Sequence, residues 1–99
     1  MPQVDYLPLL KTILLTALNG YPVKIYGFGS VFQNCAGSVS DIDIALEPCG
    51  PLPLDLFPRI REQLEESPIP FKIDLVDLSR TSSEFAEEVR STGVLWKDC

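Results

Sequence analysis

The 99-residue sequence contains no histidine, and its three cysteines, Cys35, Cys49 and Cys99, are widely spaced with no CxxC pair. A zinc centre therefore has too few ligands, and free thiols in a reducing cytoplasm are the expected state. Long apolar runs are also missing. The longest, around Ile13-Leu14-Leu15-Thr16-Ala17-Leu18, is too short to span a bilayer, and no basic stretch of the signal-peptide kind precedes it. The expectation is a soluble, cytoplasmic protein with no membrane role. Positive charge is scarce: 8 Lys and Arg stand against 14 Asp and Glu, a formal net charge of −6. No basic face is available to follow the phosphates of a duplex, so duplex DNA is excluded as the main ligand. An acidic chain can still hold a polyphosphate where a cation or a helix N-terminus offsets the repulsion.

What is present is a core. The hydrophobic fraction is 45% and there are nine aromatic residues, enough to fold residues 1–99 as a single domain without disulfide staples. Leu7, Leu10, Leu14 and Leu18, three to four apart, predict a helix from about Asp5 to Leu18, ended by Asn19-Gly20 and Pro22. Leu9 and Ile13 form a second stripe on it, read first as core and secondarily as a contact for a partner or a second copy. Val23 to Tyr26 alternates as a strand and runs into Gly27-Phe28-Gly29-Ser30, with a short helical turn from Val31. Asp41 to Leu46 is a second strand, about Leu54 to Glu66 a helix, and Phe71 to Asp77 a third strand. Ser82 to Arg90 is a helix with a serine cap, and Gly93 to Trp96 a short last strand. The alternation of helices and strands is that of an α/β (α+β) protein.

Chemistry concentrates at two places. Asp41 and Asp43, two apart on a strand, share a face, while Ile42 and Ile44 take the other. Paired carboxylates repel each other, an arrangement that a hard divalent cation such as magnesium relieves. Alone, the pair is equally well read as the solvated face of an edge strand. Asp74, flanked by Ile73 and Leu75, joins the same face if its strand lies beside that of Asp41 and Asp43. Asp77, at the strand end, reads as a terminator or cap. Gly29-Ser30, where a strand meets a helical turn, lets backbone N–H groups approach phosphate oxygens. It is neither a Walker loop nor a dinucleotide fingerprint, and alone it would be an ordinary tight connection.

Gly29-Ser30, ten residues, Asp41-Ile42-Asp43 and the later apolar-flanked Asp74 together resemble the nucleotidyltransferases of the DNA polymerase β superfamily. The likeness is greatest to the minimal nucleotidyltransferases, and it extends through Phe71–Leu78 to Gly93-Val94-Leu95-Trp96. The resemblance implies a nucleotidyltransferase fold: a small mixed sheet of three to four strands with helices mainly on one face. It implies that Asp41, Asp43 and Asp74 are catalytic and hold one or two Mg2+ ions, with Asp74 also able to activate the attacking hydroxyl. Gly29 and Ser30 would cradle the phosphates of ATP or another nucleoside triphosphate. The implied reaction moves a nucleoside monophosphate to a hydroxyl on a protein or RNA and releases pyrophosphate. A helical-bundle HEPN-like protein encoded nearby is the implied partner in a toxin–antitoxin-type pair, this chain being the antitoxin-like half of a homo- or hetero-oligomer. Many relatives carry Arg after Gly-Ser and Gly three residues later, where this sequence has Val31 and Asn34. The competing expectation is therefore a catalytically silent module of the same fold that neutralises its partner by contact.

Overall fold

The computed structural model describes residues 6–28 and 41–99, apart from the side chain of Asp41. Helix α1, Leu7–Ala17, opens with Pro8 in its first turn, where the missing N–H costs nothing, and buries Leu10 and Leu14. Leu18 caps it, and Gly20 turns the chain at φ +87°, a left-handed backbone that glycine adopts without strain. Strand β1 (Val23–Phe28) follows, then β2 (Asp41–Pro48), α2 (Leu56–Glu65), β3 (Lys72–Asp77), α3 (Ser83–Thr92) and β4 (Val94–Lys97). Helix α2 tolerates Pro58 because it falls in the first turn, and its stripe of Leu56, Ile60 and Leu64 is buried.

The four strands form one mixed sheet in the order β3-β2-β1-β4. Strand β1 pairs antiparallel with both β2 and β4, whereas β2 and β3 run parallel. Strand alternation sends Val23, Ile25, Ile42, Ile44, Leu46 and Leu75 to one face, where they pack with Leu10, Leu14 and Leu18 and with the apolar stripe of α2. Ile25, Ile44 and Leu46 are wholly inaccessible to solvent. Tyr26, Ala45 and Val76 occupy the other face beneath Ala86 and Val89 of α3. Two of the described helices thus share one face, and α3 covers part of the other. Ser82 caps α3 by accepting from the Phe85 N–H at 3.2 Å. Where α3 turns into β4, a Cβ added at Gly93 would sit 2.5 Å from the Val89 carbonyl oxygen, so that junction requires glycine.

One expectation is corrected. Cys49 and Cys99 are joined by a disulfide, their Cα atoms 6.4 Å apart. The topology explains it: β2 and β4 both run antiparallel to β1, so both finish beside its beginning, with Pro48 opposite Val23 and Lys97 opposite Ile25. The Cys49 N–H donates to the Pro22 carbonyl at 2.7 Å, and Lys97 Nζ donates to the carbonyls of Tyr21 and Val23 at 3.0 Å each. Both cysteines are thereby held at the same end of the sheet. Cys35 lies outside the described residues. No helix among them is long and apolar enough to cross a membrane.

Candidate active site

The site expected from sequence sits at the opposite end of the sheet from the disulfide. Strand β1 leaves it at Phe28, and β2 and β3 enter it. The parallel register of β2 and β3 makes Asp43 and Asp74 direct partners, with Asp41 opposite Lys72. Partners on neighbouring strands lie about 4.8 Å apart and present side chains to the same face, so Asp43 and Asp74 stand side by side on the α3 face. Asp43 also pairs with Phe28 of β1. Asp41 opens β2 at the right register position, but its side chain, Gly29, Ser30, Val31 and Asn34 lie outside the described residues. Among the described residues, no group of three acidic, cysteine or histidine side chains gathers around a point that could hold a metal. The donors available at this end, Asp43 and Asp74, are hard carboxylate oxygens of the kind that magnesium takes.

The surroundings divide into an apolar wall and a polar mouth. Phe28 packs edge-on against Phe85 of α3, ring centroids 5.6 Å apart, fixing the end of β1 beside Asp43. On the mouth side, Lys72 Nζ stands 3.9 Å from Asp74 Oδ1, with the Asp74 side chain 44% exposed and that of Lys72 72% exposed. A groove of about 570 Å3 runs along β3 beneath α2, lined by Arg61, Leu64, Ile69, Phe71, Lys72 and Asp74. Lys72 escaped the sequence reading, although the alternation that placed Asp74 placed Lys72 on the same face two residues earlier.

Other charges on this sheet serve structure. Glu47, at the far end of β2, accepts from Arg90 Nε at 2.8 Å and from its Nη2. The hydrogen bonds from Arg90 hold the Glu47 carboxyl below its ordinary value of 4.5, outweighing the upward push of burial, and raise the guanidinium in turn. Asp77 caps the turn Leu78–Arg80, its Oδ1 accepting from the Ser79 N–H at 2.9 Å and hydroxyl at 2.6 Å. It is a cap, as its place at the strand end implied.

Comparison with known proteins gives this geometry a lineage. The sequence pattern of the polymerase β nucleotidyltransferase domain matches residues 11–98. The chain belongs to that family. Its nucleotidyltransferase fold and activity class follow from membership, and a curated relative agrees: the probable protein adenylyltransferase MntA of Haemophilus influenzae is 35% identical over 91 residues, 92% of this chain and 78% of the relative. A crystal structure of a toxin–antitoxin with AMP-PNP superposes with a TM-score of 0.68 at 27% identity, over 90% of this chain and 73% of that one. A second, of the toxin–antitoxin MntA–HepT, gives 0.58 at 24% identity over 93% and 73%, a likeness of fold. The minimal-nucleotidyltransferase resemblance seen in the sequence therefore stands.

Proposed function

We propose that this nucleotidyltransferase transfers AMP from ATP to a hydroxyl group on a partner protein and is the antitoxin-like half of a two-component pair. The observation that carries the reading is the register pairing of Asp43 with Asp74, two residues after Asp41, on one sheet face at the end where β1 runs into Gly29-Ser30. Asp41, Asp43 and Asp74 would hold Mg2+, which would supply charge neutralisation on the triphosphate and the leaving pyrophosphate. Gly29 and Ser30 would orient the β- and γ-phosphates through backbone N–H groups and the serine hydroxyl. Asp74, beside the groove under α2, would accept the proton of the attacking hydroxyl as its oxygen bonds to the α-phosphorus and pyrophosphate departs. The relative named as a protein adenylyltransferase, and the toxin–antitoxin solved with AMP-PNP, support AMP as the group moved and a protein as its acceptor.

The test is transfer itself. Incubation with ATP labelled at the α-phosphate, Mg2+ and the protein encoded beside this chain should label that protein. Asp43→Asn and Asp74→Asn should each lower the rate by at least about 100-fold, the scale of losing a group that acts in the transition state. Partner neutralised without label, and equally well by Asp43→Asn, would establish the silent-module alternative.

A further inference from the structure

We propose that Lys72 is the cation this chain sets against the triphosphate, and that without nucleotide it serves as counter-ion to the paired aspartates. The inference rests on the reading of Asp43 and Asp74 as the nucleotide site. An acidic chain, net charge −6, must offset a polyphosphate locally, and Val31, the residue after Gly29-Ser30, carries no charge. Among the eight Lys and Arg residues, Lys72 is the one that the fold seats on the carboxylate face at this end of the sheet. Its backbone is the register partner of Asp41, and its Nζ is 3.9 Å from Asp74 Oδ1. Apart from Arg61, which reaches the same groove from α2, the other cations sit elsewhere. Arg90 and Lys24 gather at Glu47 and Asp98, at the far end of the sheet, and Lys97 is bound to the carbonyls of Tyr21 and Val23. Arg80 pairs with Asp77 and Arg59 with Asp55, while Arg61 donates to the Leu75 carbonyl from α2 and Lys11 is exposed on α1.

The looseness of the Lys72–Asp74 pair suits two roles. A long contact between exposed groups holds weakly, so the ammonium can leave Asp74 when the carboxylate is needed and swing on its four-carbon stem toward phosphate oxygens. Lysine binds phosphate as a mobile point charge and does not need a fixed fork. Lys72 thus competes with a dication for Asp74 and cooperates with the same dication in holding ATP.

That duality makes two effects of opposite sign, which a folding defect cannot mimic. Calorimetric titration would compare the whole chain with Lys72→Met and Lys72→Arg, using Mn2+ alone and then ATP with Mg2+. Lys72→Met should bind ATP about tenfold more weakly, equivalent to about 1.4 kcal/mol, yet bind Mn2+ alone more tightly than the unaltered chain. Lys72→Arg should recover most of the ATP affinity, because it keeps the charge. Lys72→Met within twofold of the unaltered chain for ATP, or weaker for both ligands, would overturn the assignment to Lys72 alone. Equal ATP binding by the unaltered chain and Asp43→Asn, or no binding by either, would overturn the site reading and Lys72 with it.

Discussion

Reducing the Cys49–Cys99 disulfide tests the topology at the end of the sheet away from the site. The two cysteines lie 50 positions apart in sequence, across a stretch that holds α2, β3, α3 and β4. Closing a loop of that length removes chain entropy from the unfolded state worth about 4 kcal/mol at 25 °C. The native state gives up little freedom in exchange, because Lys97 already ties the end of β4 to Tyr21 and Val23. For a domain of this size each kcal/mol moves the melting temperature by about 4–8 °C, so the entropic ceiling is about 15–30 °C. The assay is thermal unfolding in a Cys35→Ser background, where the third thiol cannot exchange, with and without a reductant. Cys49→Ser with Cys99→Ser should melt like the reduced protein whether or not reductant is present. Intact mass before melting should show the loss of two hydrogens. Oxidised and reduced forms that unfold together, despite that mass difference, would refute the loop argument, and no mass difference would refute the pairing.

Other consequences follow from the core and the charged pairs. Ile44→Ala, at a side chain with no exposure in the middle of β2, should cost about 2–5 kcal/mol, read from the urea midpoint. Ser82→Ala removes the acceptor for the Phe85 N–H and should cost about 1 kcal/mol without altering nucleotide binding by calorimetry. The Glu47 carboxyl is held low by Arg90, so its contribution to stability is complete above the ordinary value near 4.5 and is lost as pH falls through the lowered folded value. Urea unfolding from pH 7 to pH 3 should show the gap between the unaltered chain and Glu47→Gln constant at the upper end and closing at the lower; a constant gap throughout would contradict the sign.

Much of the fold was legible because period-two and period-3.6 patterns survive wherever a face is buried. Ile42, Ile44 and Leu46 announce β2, and Leu56, Ile60 and Leu64 announce α2, to within two residues of their ends. The boundaries that shifted have local causes: Pro48 extends β2 because it lies at the strand end opposite Val23, where a missing donor is tolerated. Of the second stripe on α1, Ile13 packs against the core whereas Leu9 is left 37% exposed. The Asp43–Asp74 pairing was legible only as a condition, since alternation assigns a face but not a neighbouring strand. The disulfide was illegible for the same reason. Its cysteines lie 50 positions apart in sequence, and only the antiparallel placement of β2 and β4 on either side of β1 brings them together. Lys72 was overlooked because a surface lysine in a strand ordinarily means only solvation, and its meaning depends on which strand lies alongside.

If the carboxylates of residues 41, 43 and 74 form one cation site, paramagnetic relaxation by Mn2+ will report it. In a protein labelled with 15N, substoichiometric Mn2+ should broaden the amide resonances of Phe28, Asp43 and Asp74 at the lowest additions, and those of Glu47 and Asp77, about 10–13 Å further along the same strands, only at higher ones. Asp43→Asn should abolish the effect. Broadening centred on the acidic surface of α2 around Glu62, Glu65 and Glu66, or surviving undiminished in Asp43→Asn, would contradict the account.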